Sequence, residues 1–309
     1  MKYMQRLLAG LVIFGLLTAC EQSSQGQSQT TTAEISPDKD VLITISTPMG
    51  EMHAILYEET KQHRDNFIKL VKEKYYDDLL FHRCIKDFMI QGGDPQSRGA
   101  APGVMLGNNG PGYFLPAEFM PDKYFHEKGA ICAARKGDQV NPEKQSDGSQ
   151  FYIVQGKTYT EQELLDMRTD LYKLYELFQQ LLTKPAYASL TAQLNELQQR
   201  GDNEGIQKLI LQHKDICEKE FGVELDKPLT AEQIQKYTTI GGVPFLDGEY
   251  TVFGKILDGF DVLDKIAAQP GDRFNRPNTD IPMKISSEVL PKAEITKRFG
   301  YQYPATMKK

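Results

Sequence analysis

From residue 41 the chain reads VLITISTPMGEMHAILYE, apolar and polar positions alternating around a break at Pro48 and Gly50. Alternation with β-branched residues on both arms predicts a hairpin. After Thr60 the period lengthens, so that His63, Phe67, Leu70 and Val71 share one helical face, with Thr60 as the expected cap. Short strand-like runs follow near residues 79–91, 130–135, 150–155, 250–257 and 283–290, separated by glycine- and proline-rich loops. A second short helix is expected at 260–268, where Val262, Leu263 and Ile266 form the buried stripe. Residues 92–116 carry many glycines and prolines and no period; a loop that long suggests a functional rim.

Between residues 157 and 240 the period changes from two to seven. Leu164, Met167, Leu171, Leu174, Phe178 and Leu181 follow a 3,4 spacing that predicts one long helix, opened by a Thr160/Glu163 capping box. Leu190, Leu194 and Leu197 predict a second helix after Pro185, and Ile206, Leu209, Ile210, His213 and Cys217 a third, with His213 at the core or its boundary. Thr230 and Gln233 cap a short fourth. The stripe is either the core of a small bundle or a surface for a partner, and Leu165, Tyr172, Tyr175 and Leu182 fall off it as a second apolar face.

At 309 residues with 40% hydrophobic content the chain can bury a substantial core. Its net charge of −6 argues against nucleic acid, whose phosphates need a basic field. Lys2 and Arg6 precede an apolar run at residues 7–17, too short to span a membrane and ending in Leu17, Thr18, Ala19 and Cys20. This matches a lipoprotein signal, residues 1–19, with cleavage before Cys20 and acylation of its thiol. The expected location is the bacterial cell envelope, with the chain lipid-anchored in a membrane as a periplasmic or outer-membrane lipoprotein. Residues 20–38, rich in Gln, Ser and Thr, form a flexible tether. The remaining Cys84, Cys132 and Cys217 are odd in number and lack CxxC spacing, which excludes a complete disulfide framework; Cys84 and Cys132, in apolar strand runs, are expected as buried small hydrophobes. The histidines show no ligand spacing; no metal and no cofactor is expected.

The most informative stretch is residues 81–94, FHRCIKDFMIQGGD, a lone arginine in an apolar run with a glutamine eight positions later. Arginine is seldom fully buried unless paired, so Arg83 reads as the wall of a pocket or, alternatively, as a snorkelling side chain on a core strand. Ser149 lies in GSQ without a paired base, which disfavours a hydrolase.

Together with GAICAAR at 129–135, DGSQFYI at 147–153 and the segment 244–266, that stretch resembles the cyclophilins, the peptidyl-prolyl isomerase family. The resemblance spans about residues 39–156 and 241–290. It implies a mainly β fold, a closed antiparallel cyclophilin-like barrel of about eight strands capped by two helices, occupying 39–156 and 241–292. Residues 157–240 would be an inserted α-helical subdomain and 293–309 a C-terminal tail.

The resemblance places the catalytic arginine on Arg83 and an orienting glutamine on Gln91. It places the proline socket on Phe88, Met89, Phe151 and Leu246, and polar contacts on Ala134, Arg135 and Gln150. Phe245, Tyr250 and Arg135 stand where many members have tryptophan, histidine and asparagine; Phe245, lacking the indole donor, bears on sensitivity to the family's cyclic peptide inhibitor. The implied activity is X-Pro rotation in secreted or envelope polypeptides, without covalent chemistry. The competing expectation is an envelope chaperone or protein-binding module that meets a partner through the helical insert, with isomerisation incidental.

Overall fold

The computed structural model describes residues 35–167, 169–226 and 229–304. Cys20, the expected signal sequence and the tether as far as residue 34 lie outside them.

In chain order the first part contains β1 (Lys39–Thr47), β2 (Gly50–Leu56), α1 (Lys61–Lys72), β3 (Arg83–Ile85) and β4 (Met89–Gly92). Then come β5 (Phe114–Leu115), β6 (Ala130–Ala133), β7 (Ser146–Asp147) and β8 (Phe151–Val154). The helices α2 (Glu161–Met167), α3 (Leu171–Leu182), α4 (Ala188–Arg200), α5 (Asn203–Gln212), α6 (Lys214–Phe221) and α7 (Ala231–Thr239) follow. β9 (Val252–Ile256), α8 (Phe260–Ala267), β10 (Lys284–Pro291) and α9 (Lys292–Phe299) complete the chain.

Eight strands form one antiparallel sheet in the order β10-β1-β2-β9-β6-β8-β4-β3. Its two ends meet just outside the regular strands. Asp78 N donates to Met283 O at 3.0 Å, Met283 N to Leu79 O at 2.8 Å and Phe81 N to Ile281 O at 3.0 Å. The sheet thus returns on itself as a barrel, which satisfies backbone groups that an open edge would expose. Inward-facing Val41, Ile43 and Ile45 of β1 meet Phe81, Phe151 and Phe253 inside it. Phe67 and Leu70 of α1, with Val262, Leu263 and Ile266 of α8, cover the same core.

Thr60 does not cap α1 with its side chain; its hydroxyl donates to Tyr57 O at 3.3 Å. The free amides go to Glu118 instead, whose carboxylate accepts from Gln62 N at 3.1 Å and His63 N at 3.0 Å. A carboxylate there also suits the positive end of the helix dipole, so a residue remote in sequence outcompetes the local one.

The single helix expected from Leu164 to Leu181 is two. Asp170 accepts from Lys173 N at 3.0 Å, and Thr169 bridges to Asp226, so the chain turns before α3 although its apolar period runs on. The third expected helix likewise divides at His213, whose Nδ1 lies 2.8 Å from Leu209 O. Both capping boxes form: Glu163 N to Thr160 Oγ1 is 3.1 Å, and Gln233 N to Thr230 Oγ1 is 3.1 Å.

These helices build two separate cores. Leu174, Phe178 and Leu181 of α3 pack with Leu190, Leu194, Leu209 and Cys217. Leu164 of α2 and Tyr237 of α7 pack with Phe125 and Tyr159. The stems of the second layer are stitched beside the barrel by Gly242 N to Lys157 O at 3.0 Å and Val243 N to His126 O at 2.8 Å. A side chain at Gly242 would begin 2.2 Å from His126 O and 2.6 Å from Tyr237 Cε1, so only glycine lets α7 approach so closely.

The region expected as a C-terminal tail begins with α9, whose Ile295 is fully buried with Leu42, Ile55 and Leu290. One anchor residue leaves no apolar stripe for a pattern to reveal. Cys84, Cys132 and Cys217 are free and buried. Among the described residues no helix is long and apolar enough to cross a membrane.

Candidate active site

The β3–β4 hairpin pairs Arg83 with Gln91, Cys84 with Ile90 and Ile85 with Met89. Alternation sends Cys84 and Ile90 into the barrel core and leaves Arg83 and Gln91 on the outer face. There Arg83 Nη1 donates to Gln91 Oε1 at 3.2 Å and lies 3.9 Å from Met89 Sδ. Its guanidinium carbon sits 5.6 Å from the Phe88 ring centroid. Partial burial draws the Arg83 pKa down, with the neighbouring Tyr250 phenol opposing; a guanidinium nonetheless stays charged in proteins.

Gln91 is fixed from behind. Its amide donates to Gln150 Oε1 at 3.0 Å, and Gln150 in turn donates to Gly107 O at 3.1 Å and Asn109 O at 2.7 Å. The long loop is held by buried Asp94, which accepts from Gly107 N at 2.6 Å, and by Arg276, which donates to Ala100 O and Ala101 O. So the loop expected as a rim supports the arginine from behind.

Arg83, Phe88, Met89, Gln91, Ala134, Arg135, Tyr152, Leu246 and Tyr250 surround a cavity of about 100 Å³. That is room for one small ring, well below the volume of a pocket for a drug-sized ligand. Phe245 is 57% exposed at its edge and stacks on Phe88 with ring centroids 6.1 Å apart. Gln150 stands one layer behind, reaching the cavity through Gln91.

Phe151 does not join them. It lies inside the barrel, edge-on to Phe67 at 5.3 Å and Tyr76 at 5.5 Å. The ring that lines the cavity is its neighbour Tyr152, because successive residues of β8 face opposite sides of the sheet and the residue expected there lies one position out of register. The period-two rule could have found this: Gln150 and Tyr152 share a face, and Phe151 does not.

At the wall, Arg135 is consumed by its own surroundings. Its guanidinium donates to Glu249 O at 2.8 Å, Lys136 O at 3.0 Å and Asp138 Oδ1 at 2.5 Å, and lies 4.5 Å from the Tyr250 ring centroid. It therefore stiffens the wall of the cavity. Ser149 donates to Gly93 O at 2.8 Å and does not line the cavity. Gly93, with φ +95°, is obligatory here, since a Cβ would sit 2.2 Å from Ser149 O.

A guanidinium held by Gln91 thus borders a small, largely apolar cavity on the outer face of a closed antiparallel barrel. The sequence model of the cyclophilin type peptidyl-prolyl cis-trans isomerases matches residues 41–172 and 223–288, more than half of the chain. The chain belongs to this family, an enzyme class that acts on proline-containing polypeptides. The unmatched interval begins within α3 and ends just after α6.

A Streptococcus pyogenes protein named as an inferred bifunctional phosphatase/peptidyl-prolyl cis-trans isomerase is 30% identical over 242 residues, which is 77% of this chain and 37% of that one. The chain thus spans little more than a third of that relative. An inferred peptidyl-prolyl cis-trans isomerase of Staphylococcus haemolyticus is 27% identical over 245 residues, 79% of this chain and 89% of its own length. The crystal structure of a Cryptosporidium parvum cyclophilin-type isomerase is 20% identical, covers 81% of this chain and 98% of its own, and superposes with a TM-score of 0.45.

Proposed function

We propose that this chain accelerates X-Pro rotation in secreted or envelope polypeptides by a non-covalent mechanism centred on Arg83. The observation that carries the reading is the Arg83–Gln91–Gln150 chain, which aims guanidinium N–H groups into the cavity bounded by Phe88, Met89 and Tyr152. An amide resists rotation by about 18 to 20 kcal/mol because nitrogen donates its lone pair into the carbonyl. As the bond twists, that pair localises on a pyramidal nitrogen and becomes a hydrogen-bond acceptor. Arg83 then donates to the twisted form better than to the planar one, while the cup holds the prolyl ring. Gln91 orients the guanidinium; no nucleophile or proton transfer is involved.

Placement at the envelope rests on the residues around Cys20, with Cys20 acylated and the tether letting the barrel reach clear of the bilayer. The test is proline-limited refolding of a substrate protein with the purified chain lacking residues 1–20. Wild type should accelerate it, and Arg83→Ala should reduce kcat/KM by about 10² to 10³ if the transition-state hydrogen bond contributes a few kcal/mol. A wild type without effect rejects the reading.

A second reading, a chaperone-like module that holds clients on the insert, is favoured by one feature. Leu171, Tyr175, Ile206, Ile210 and Leu211 line an open groove of about 320 Å³, and Tyr172 beside it is 93% exposed. Replacing Tyr172, Tyr175 and Leu211 by serine should abolish protection of a client from aggregation; unchanged protection removes this reading.

A further inference from the structure

Tyr152 differs from a plain apolar wall in carrying a hydroxyl, and that hydroxyl begins a buried chain of hydrogen bonds leading away from the cavity. Its oxygen is 3.0 Å from His126 Nε2, and the planes of the two rings are nearly parallel, 15° apart. His126 Nδ1 is 2.9 Å from Asp247 Oδ1, which also accepts from His126 N at 2.8 Å. The other carboxylate oxygen accepts from Tyr237 Oη at 2.7 Å and Gln233 Nε2 at 3.1 Å. Tyr237 and Gln233 belong to α7.

Each member settles the next. A carboxylate only accepts, so Nδ1 of His126 carries the ring proton and Nε2 is left to accept. Burial pushes the Tyr152 phenol well above its ordinary value, so it keeps the proton that Nε2 takes as a hydrogen bond. His126 and Tyr237 are fully buried and Gln233 is 4% exposed, which leaves little water to compete. The chain also seats the opposite wall: Tyr250 packs edge-on against Tyr152 at 5.9 Å and His126 at 6.4 Å.

We infer that His126, Asp247, Tyr237 and Gln233 are positioning residues for the prolyl socket, through which helix α7 sets the Tyr152 ring at the cavity wall. The inference rests on the isomerase reading for its effect on turnover, though not for the coupling itself. The helices between β8 and β9 then divide by layer: α7 is part of the site, and the α3–α6 bundle is not.

A double-mutant cycle in the chain lacking residues 1–20 tests it. Tyr237→Phe keeps the ring that packs on Phe125 and removes only the hydroxyl. At a temperature where all variants are folded, it should raise KM for an alanyl-prolyl peptide about threefold to tenfold, with kcat within about twofold. In the Tyr152→Phe background the same substitution should change nothing further. Additive effects, or no effect of Tyr237→Phe alone, overturn the inference.

A second readout does not need activity. In chain labelled with ¹³C-tyrosine, the Tyr152 Cζ resonance should move in Tyr237→Phe and in Gln233→Leu, and stay in place in Tyr175→Ser. A Tyr152 resonance indifferent to both α7 variants overturns the inference even in an inactive protein, whereas inactivity with a moving resonance condemns only the isomerase reading.

Discussion

The barrel and the α3–α6 bundle bury comparable side chains under different kinds of control. In the barrel, Phe151 meets Phe67, Tyr76 and Phe81 from elements far apart in the chain, and the closing bonds join residue 81 to residue 281. In the bundle, Phe178 packs among helices that follow one another directly, two of them, α3 and α5, opened by nearby caps, Asp170 and Asp202. Long-range pairing makes the barrel cooperative and holds the Arg83–Gln91 hairpin against Gln150. Local pairing makes the bundle a unit that can melt by itself.

The largest expected effects test that separation. Phe151→Ala should cost about 3 to 5 kcal/mol and remove activity together with the fold, since the cavity left in the barrel cannot collapse. Phe178→Ala opens an equally buried site, yet it should lose helical circular dichroism in an early transition while turnover stays within about threefold. Loss of turnover at a temperature where the barrel remains folded would break the comparison.

A smaller effect concerns acid. Burial lowers the His82 imidazole from 6.5 to about 4, with Asp94 opposing and Arg83 and Arg276 reinforcing. Above pH 6.5 neither state binds the proton; between about 6.5 and 4 the unfolded chain takes it and the folded one does not. Stability should therefore fall by about 3 kcal/mol over that window as pH drops, at about 1.36 kcal/mol per unit. Urea midpoints at pH 7 and pH 4.5 measure it, and His82→Gln should flatten this part of the profile. A full response in His82→Gln would assign the acid sensitivity elsewhere.

The smallest effect sharpens the contrast from the bundle side. The serine substitutions at Tyr172, Tyr175 and Leu211 should alter kcat/KM by less than about twofold, and changing Tyr172 alone should move stability by no more than about 0.5 kcal/mol. The same substitutions decide whether clients are held there.

Much of the barrel was legible in the pattern of residues. Its hairpins, the covering helices α1 and α8 and both capping boxes follow from periods of two and 3.6 and from side chains within three residues of the amides they bind. Most of the cavity was legible too, because Arg83, Phe88, Met89 and Gln91 sit on one hairpin and Leu246 and Tyr250 on one turn. Local order reaches about that far. The choice of Tyr152 over Phe151 turned on a one-residue register within β8: alternation already groups Tyr152 with Gln150, and the pairing of β8 with β4 and β6 decides which face meets the cavity.

What tertiary structure alone decided are the partnerships that cross the chain. Glu118 caps α1, Asp170 and Asp226 interrupt an apolar period that would otherwise continue, Ile295 anchors a helix in the expected tail, and Tyr237 reaches the prolyl socket through Asp247 and His126. A hydrogen bond is directional and short, and its partner depends on which segments the closed sheet brings together. Apolar burial tolerates many partners and so leaves a period in the sequence; a polar contact between distant segments leaves none.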